Sequence, residues 1–563
     1  MNYFISNAPD ARGSNANAGT SVECPWLDFT PLHQRSLHPG GRILLRRGSC
    51  WNQQLTIYDS GAAGFGGCAL DAYGVGPLPK IIRNGDAMER CIMLHNVSYW
   101  RISNVEVGCA GVCILALYDT AGHESLSFDH IVVHDCYGIF DRDMLDGPAR
   151  IQGRLDQVGI SAGILVTAGN LELTEDQYVL RGIRFDHIEG YHNADSVTVC
   201  PGSITAKGEA YAFQDVTCNH LYLHDDDAPN PGGIPDTLRF VSSRHVLLMN
   251  SRLDKECGRY TTSGTAAVFL GGVKDLHFLN NIFTRTPDTL SFDQCAIDFE
   301  GSTRLVKLHN NYFGQNAGPG IEFLDIWGEK SYSENHEITG NAFEGNGWGS
   351  HGGQAGSGGI HHAGGNFATG IIRDNLVYEP DKPLYHGEFA NFQLINNLQA
   401  SQPLANSMAG FSPTQGENGW HYQLRQTDGN LIDLPYYDTE REVWTMSAID
   451  AVVWISRFEQ FAAESTCAAV RSWQSPCKGK LAIRSRIIRS YGENTPMPAQ
   501  ITLNGKVLWG PPVGPDPERA GYEVNLDNLA VAAGDVLRFE VAGPYRCLAD
   551  GISWAPTIAY IGE

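Results

Sequence analysis

Short runs of alternating apolar and polar residues recur through the middle of the chain. "HVLLMNSRL", "DLHFLNNIF", "LVKLHNNYF", "HEITGNAFE", "GIIRDNLVY" and "NFQLINNLQ" each alternate over a few residues and then reach Asn250, Asn280, Asn310, Asn341, Asn375 and Asn396. The successive spacings are 30, 30, 31, 34 and 21 residues. Earlier, "YWRISNVEV" and "FDHIVVHDC" put Asn104 and Asp135 31 residues apart in the same context. Period-2 alternation is the signature of a strand. Strands this short, repeating without intervening helical periodicity, cannot form strand–helix–strand units. They fit the coils of a parallel β-helix, in which each coil pairs with the next and an inward asparagine stacks on its neighbours. Asparagine also tolerates the left-handed backbone of a tight corner.

A second strand is expected in each coil. "AAVFLGG" from Ala266, "AIDFEG" from Ala296, "GIEFLD" from Gly320 and "GIHHAG" from Gly359 align, and "TLRFV" from Thr237 fits the same frame. Side chains alternate across a strand, so Ile297 and Phe299 face the core while Asp298 and Glu300 face outward. Stacking the coils predicts one outward row of Arg239, Phe269, Asp298, Glu322 and His361, with Glu300 beside it. Asp298 and Glu322 become cross-strand neighbours, with carboxyls roughly 5 Å apart. That is the spacing of a retaining glycosidase pair, whereas Glu300 with Glu322 on the diagonal is nearer an inverting pair. Trp327, Trp348 and His351 fall on flanking loops, where aromatic rings suit the apolar faces of sugars. Outward polar residues on a solvated face are the simpler reading of any one of these acids.

After residue 400 the pattern dissolves into "SQPLANSMAGFSPTQGENG", then returns as longer alternating strands such as "AQITLNGKVLWG" and "VAAGDVLRFEVAG". The expected organisation is a capped β-helix over 1–400, a connection over 401–445 and a β-sandwich over 446–563, serving as a carbohydrate-binding or structural accessory. "PWLDFTPLHQRSL" is expected to be a short amphipathic helix closing the first coil, since solenoids need a cap. The fold class is therefore all-β: a right-handed parallel β-helix followed by a jelly-roll-like sandwich.

Composition narrows the chemistry. The 563 residues carry a formal net charge of −23, which disfavours nucleic acid and anionic membrane surfaces as partners and weakly disfavours polyanionic substrates. No stretch is apolar enough to span a membrane, and "MNYFISNAPDARG" lacks the basic and apolar pattern of a secretory leader. Location stays open between the cytoplasm and export with a leader removed. The 14 cysteines include no CxxC pair; Cys109 with Cys113, or Cys467 with Cys477, would suit disulfides in an exported protein, and buried free thiols are the alternative. No cofactor or catalytic metal is expected. Asp225, Asp226 and Asp227 form an oxygen-rich turn of the kind that binds structural Ca²⁺, with an exposed acidic turn the simpler reading. Asp254 and Glu256 are expected on a solvated face, and His361–His362 lacks the spacing of a two-histidine zinc site.

The opening "YFIS…GTS…PW…LHPGGRILLRRGSCW", followed by asparagine-ended coils, resembles the entry region of β-helical, pectate-lyase-like carbohydrate-active enzymes over about residues 1–400. The acid-bearing strands are similar to β-helical glycoside hydrolases of the family with α-L-fucosidases and a xylanase. The resemblance implies hydrolysis of an oligo- or polysaccharide, with Asp298, Glu322 and Glu300 as candidate catalytic acids. Arg239, His361, Trp327, Trp348, His351 and Phe269 would hold the sugar. Two alternatives are a polysaccharide lyase, with Arg239 as base, and a non-catalytic glycan-binding solenoid of tailspike type.

Overall fold

The computed structural model describes all residues except 137–159, 170, 203, 207–209, 228–235, 263, 326–331, 351–357, 365–366, 450–451, 464–466, 490–496, 515, 517–520, 544–550 and 563. Residues 1–400 form a parallel β-helix whose strands pair coil upon coil. One ladder runs from Asn2–Ile5 through Trp100–Ala110, His123–Cys136, Leu180–Tyr191 and Phe213–His224 to Phe392–Ile395. A second climbs from Leu55–Ile57 through Val112–Tyr118, Ile164–Ala168 and Val197–Val199 to Tyr385–Gly387. A third contains Arg252–Asp254, Ile282–Thr284, Tyr312–Gly314 and Ala342–Glu344.

The strands Asp236–Met249, Gly264–Leu279 and Phe292–His309 are long because they bend around one corner and serve the first two ladders. Ser242, Gly272 and Ser302 sit at that corner with φ of 49°, 60° and 52°. The interior is largely apolar, with Phe283, Phe313 and Phe343 stacked at centroid distances of 5.2 and 5.0 Å.

The asparagines divide into two adjacent ladders, which corrects the single ladder expected from the pattern. Asn250, Asn280, Asn310 and Asn396 hold the left-handed corner, φ 48° to 55°, where Gly340 and Asp374 replace them in the intervening coils. The inward ladder is the next residue: Asn281, Asn311, Asn341, Asn375 and Asn397. The backbone N–H of each of the first four donates to the Oδ1 of its successor, at 3.0, 2.9, 2.8 and 3.1 Å. Such buried amides persist because their hydrogen bonds are satisfied by their own repeat.

The cap is built without a helix. Residues 26–37 form turns, with Trp26 and Phe29 buried against the first coils. Proline and the short polar side chains in "PWLDFTP" favour turns over helix, which overrides the amphipathic pattern.

The C-terminal unit comprises two antiparallel sheets. The stretch expected as a connection over 401–445 supplies strands to both, since Trp420–Arg425 pairs with Ala468–Gln474 and Tyr436–Asp438 pairs with Val443–Thr445. Those strands are short and interrupted by turns, so their pattern was too brief to register. The unit docks on the outer asparagine corner. Asn280 Nδ2 donates to Ser553 Oγ at 2.8 Å, Asn310 Nδ2 to the Ala555 carbonyl at 2.8 Å, and Arg373 forks onto both Glu523 oxygens at 2.6 and 2.9 Å. Cys109, Cys113, Cys467 and Cys477 are all free thiols, the second of the two alternatives the sequence left open. Among the described residues no helix is long and apolar enough to cross a membrane.

Candidate active site

Strand register builds a continuous outward row on the second ladder. Thr56, Met93, Leu115, Leu165, Thr198, Arg239, Phe269, Asp298, Glu322, His361 and His386 are successive cross-strand partners. From Met93 to Leu165 the row is apolar, and after Thr198 it becomes cationic, aromatic, acidic and finally imidazole-bearing. Glu300 is displaced from it. Phe299 pairs with Leu270 and Gly301 with Gly271, so Glu300 is the extra residue of a bulge. Bulges re-aim side chains and are frequent beside active sites.

A second bulge opens the same strand. Thr265 pairs with Asp293 and Ala266 with Cys295, leaving Gln294 unmatched. Asp293 and Gln294 are consecutive non-glycine residues at φ 62° and 50°. This backbone is costly for residues with a Cβ. Gln294 anchors it: its Oε1 accepts from Thr289 N at 2.6 Å, and its carbonyl accepts from Gly318 N at 2.9 Å. A Cβ on Gly264 would lie 1.3 Å from Asp293 Oδ2, so the glycine leaves the space that the carboxylate fills. Asp293 escaped the sequence reading because it precedes the alternating segment. The sequence alone offered no signal, because the unmatched Gln294 is defined by the partner strand.

The outward row is not solvated, contrary to the simple reading. Asp298 is 3% exposed and Glu322 0%. Burial of carboxyl groups penalises their charged form. It pushes Asp298 well above the usual carboxylate range, with Glu300, Asp293 and Glu322 adding like-charge repulsion. Burial raises Glu322 to about 8, and burial with the charges of Glu322 and Glu300 raises Asp293 to about 8. Asp298 Oδ1 is buried and has no hydrogen-bond partner among the described residues.

Glu322 Oε1 and His361 Nδ1 lie 2.6 Å apart. Burial lowers the histidine as it raises the glutamic acid, which favours the neutral form of each.

Arg239 is held on the other side. Its Nη2 is 2.7 Å from Asp236 Oδ2, its Nε 3.5 Å from Asp195 Oδ2, and its Cζ lies 4.8 Å above the Phe269 ring. Burial raises Asp195 to about 6 despite the opposing pull of Arg239, and it also pushes Asp236 well above the usual carboxylate range. Neither acid was singled out from sequence, because each lies outside the aligned segments.

The remaining expectations scatter. Trp348 is exposed and spends its N–H on the Gln315 carbonyl at 2.9 Å. Trp327 and His351 lie outside the described residues. Asp225, Asp226 and Asp227 diverge: Asp225 meets Lys255, Asp227 meets His192, and Asp226 turns inward to accept from Ser196 Oγ at 2.7 Å. The three carboxylates go to separate partners, so the turn forms no single calcium cradle. Asp254 and Glu256 are buried rather than solvated, the first against Arg252 and Arg285 and the second accepting from Thr237 Oγ1 at 2.6 Å.

No family model matches the chain. A stretch of 130 residues is 30% identical to a lacto-N-biosidase of Bifidobacterium longum subsp. longum, covering 19% of this chain and 8% of that protein's length. The solved GH136 lacto-N-biosidase from Eubacterium ramulus superposes with a TM-score of 0.51 at 17% identity, over 71% of this chain and 67% of that one. Its native form gives 0.49 at 15% identity. The superposition shows a shared β-helical fold.

Proposed function

We propose that this protein is a glycoside hydrolase acting on an oligosaccharide, with Asp298 as the proton donor to the leaving sugar oxygen. The observation that carries the reading is Asp298 Oδ1, buried with no hydrogen-bond partner among the described residues, on a carboxyl that burial pushes well above the usual range. A glycosidase needs such an acid beside a second carboxylate that stays ionised. Glu300, half-buried and swung out by its bulge, is that partner as nucleophile or base. Asp293 holds a further proton close by. Glu322 and His361 are positioning residues, since Glu322 is closed off from solvent.

The likeness to lacto-N-biosidases supports that class of substrate ahead of those of the family with α-L-fucosidases and a xylanase. The lyase reading is weaker because Arg239, its candidate base, is committed to Asp195 and Asp236. The C-terminal unit is proposed to be a structural accessory, since its hydrogen bonds and ion pairs to the helix make it part of one body.

The test is a panel of chromogenic neutral glycosides including a lacto-N-bioside, with a uronate polymer followed at 235 nm. Asp298→Asn is expected to lose about 10²–10⁴-fold on a substrate with a poor leaving group and far less on an activated aryl glycoside. Glu300→Gln is expected to lose activity on both. Absorbance at 235 nm, or hydrolysis indifferent to Asp298→Asn, overturns the assignment.

A further inference from the structure

The motif "FDHI" occurs at residues 128–131 and 185–188, and "CNHL" takes the same place at 218–221. The candidate active site uses none of them. Register stacks Asp129, Asp186 and Asn219, and the following histidines, His130, His187 and His220, share the left-handed corner at φ 52°, 53° and 52°. Their ring centroids are 4.5 Å apart at each step, His130 stacked on His187 and His220 tilted against it by 33°. This is the corner that Asn250, Asn280 and Asn310 fill in later coils, so three coils carry imidazoles where a smaller, more tolerant residue suffices.

Two of the histidines aim at one point. His187 Nδ1 lies 3.1 Å and His220 Nδ1 3.7 Å from the same oxygen, Asp186 Oδ1. Ligands on a tetrahedral zinc ion, each about 2.0–2.1 Å from the metal, stand about 3.3 Å from one another. The supporting contacts are those of a metal centre. His220 Nε2 faces Glu459 Oε2 of the C-terminal unit at 3.4 Å, and Asp186 Oδ2 accepts from Arg184 Nη2. A metal-bound imidazole characteristically gives its other N–H to a carboxylate, and a metal-bound carboxylate is itself hydrogen-bonded. Asn219 marks the focus: its Nδ2 donates to Asp186 Oδ1 at 3.1 Å and contacts His220 Nδ1 at 2.8 Å. Reversing that amide places its oxygen at the focus as a fourth ligand, at the cost of the bond from Asn250.

We propose that Asp186, His187 and His220 form a binding site for a divalent transition-metal ion of the zinc class. It lies on the outside of the β-helix, beneath the C-terminal unit. Two imidazoles and one carboxylate favour such an ion over calcium or magnesium. His187 is half exposed and leaves an open side for entry. His130 already faces Asp129 Oδ1 through its Nδ1 at 2.6 Å, and it stands outside the set.

The test is calorimetric titration of the full chain with Zn²⁺ after chelator treatment, with Co²⁺ absorption in the visible as a second readout. One equivalent is expected. His187→Ala, at a surface position the fold does not need, should weaken binding at least 100-fold and abolish the Co²⁺ bands. Glu459→Gln should weaken it about 10–100-fold, the usual cost of losing such an outer partner. His130→Ala should leave it unchanged. Absence of binding overturns the proposal. So does binding that His187→Ala leaves intact, which would reflect scattered surface histidines.

Discussion

Replacing Glu322 by glutamine should stabilise the protein at neutral pH while impairing the reaction. The group sits at 0% exposure with its pKa raised by burial to about 8, against 4.5 for an ordinary glutamate. In the unfolded chain it ionises through pH 4.5, whereas the folded protein keeps it protonated. The unfolded state thus gains from each step of pH that the folded state cannot use. Stability is greatest below 4.5, falls between 4.5 and about 8, and is level above that. The slope is about 1.4 kcal/mol per pH unit, so the cost at pH 7 is on the order of 3 kcal/mol. Glutamine keeps the shape and can still donate an N–H to His361 Nδ1, but it has no proton to lose. Denaturant unfolding of the two proteins at pH 5 and pH 7.5 reads the effect directly. A small difference at pH 5 should widen to a few kcal/mol in favour of Glu322→Gln, with kcat reduced. A variant less stable at pH 7.5, or a gap that does not change with pH, would refute both the buried-acid account and the neutral Glu–His pair. A costly acid retained in a core-like setting is the mark of a group kept for chemistry rather than for folding.

The other expectations follow from equally local geometry. Gly264→Ala should displace the Asp293 carboxylate, lowering activity at least tenfold with the melting temperature shifted by only a few degrees, as steady-state kinetics and calorimetry would show. Asn311→Ala removes the acceptor for Asn281 N and the donor to the Phe278 carbonyl, and two stranded buried groups should cost about 2–5 kcal/mol in urea unfolding. Arg239→Met should leave Asp195 and Asp236 without their cation and destabilise by about 3–5 kcal/mol, the range for breaking a buried pair, measured the same way. Glu523→Ala should loosen the C-terminal unit, seen as faster limited proteolysis between the helix and the sheets.

Alternation and spacing alone determined a great deal. The period-2 runs at coil-length intervals specify a parallel β-helix, because side-chain facing in a strand is a local property. For the same reason Arg239, Phe269, Asp298, Glu322 and His361 could be placed in one row before any coordinates. Which of two adjacent asparagines points inward was not legible: "NN" satisfies both ladders, and only the corner's left-handed turn separates Asn280 from Asn281. The bulges that bring Asp293 and Glu300 to the site were equally hidden, since an unmatched residue is defined by its partner strand and not by its own neighbours. Burial was the largest omission. An outward position is a statement about one strand, whereas the dielectric around Asp298 and Glu322 depends on everything packed over that face. Long-range packing therefore made the outward acids buried, with their pKa values raised, where strand facing alone left a solvated face open, and it brought Glu459, from a stretch with no coil pattern, against His220.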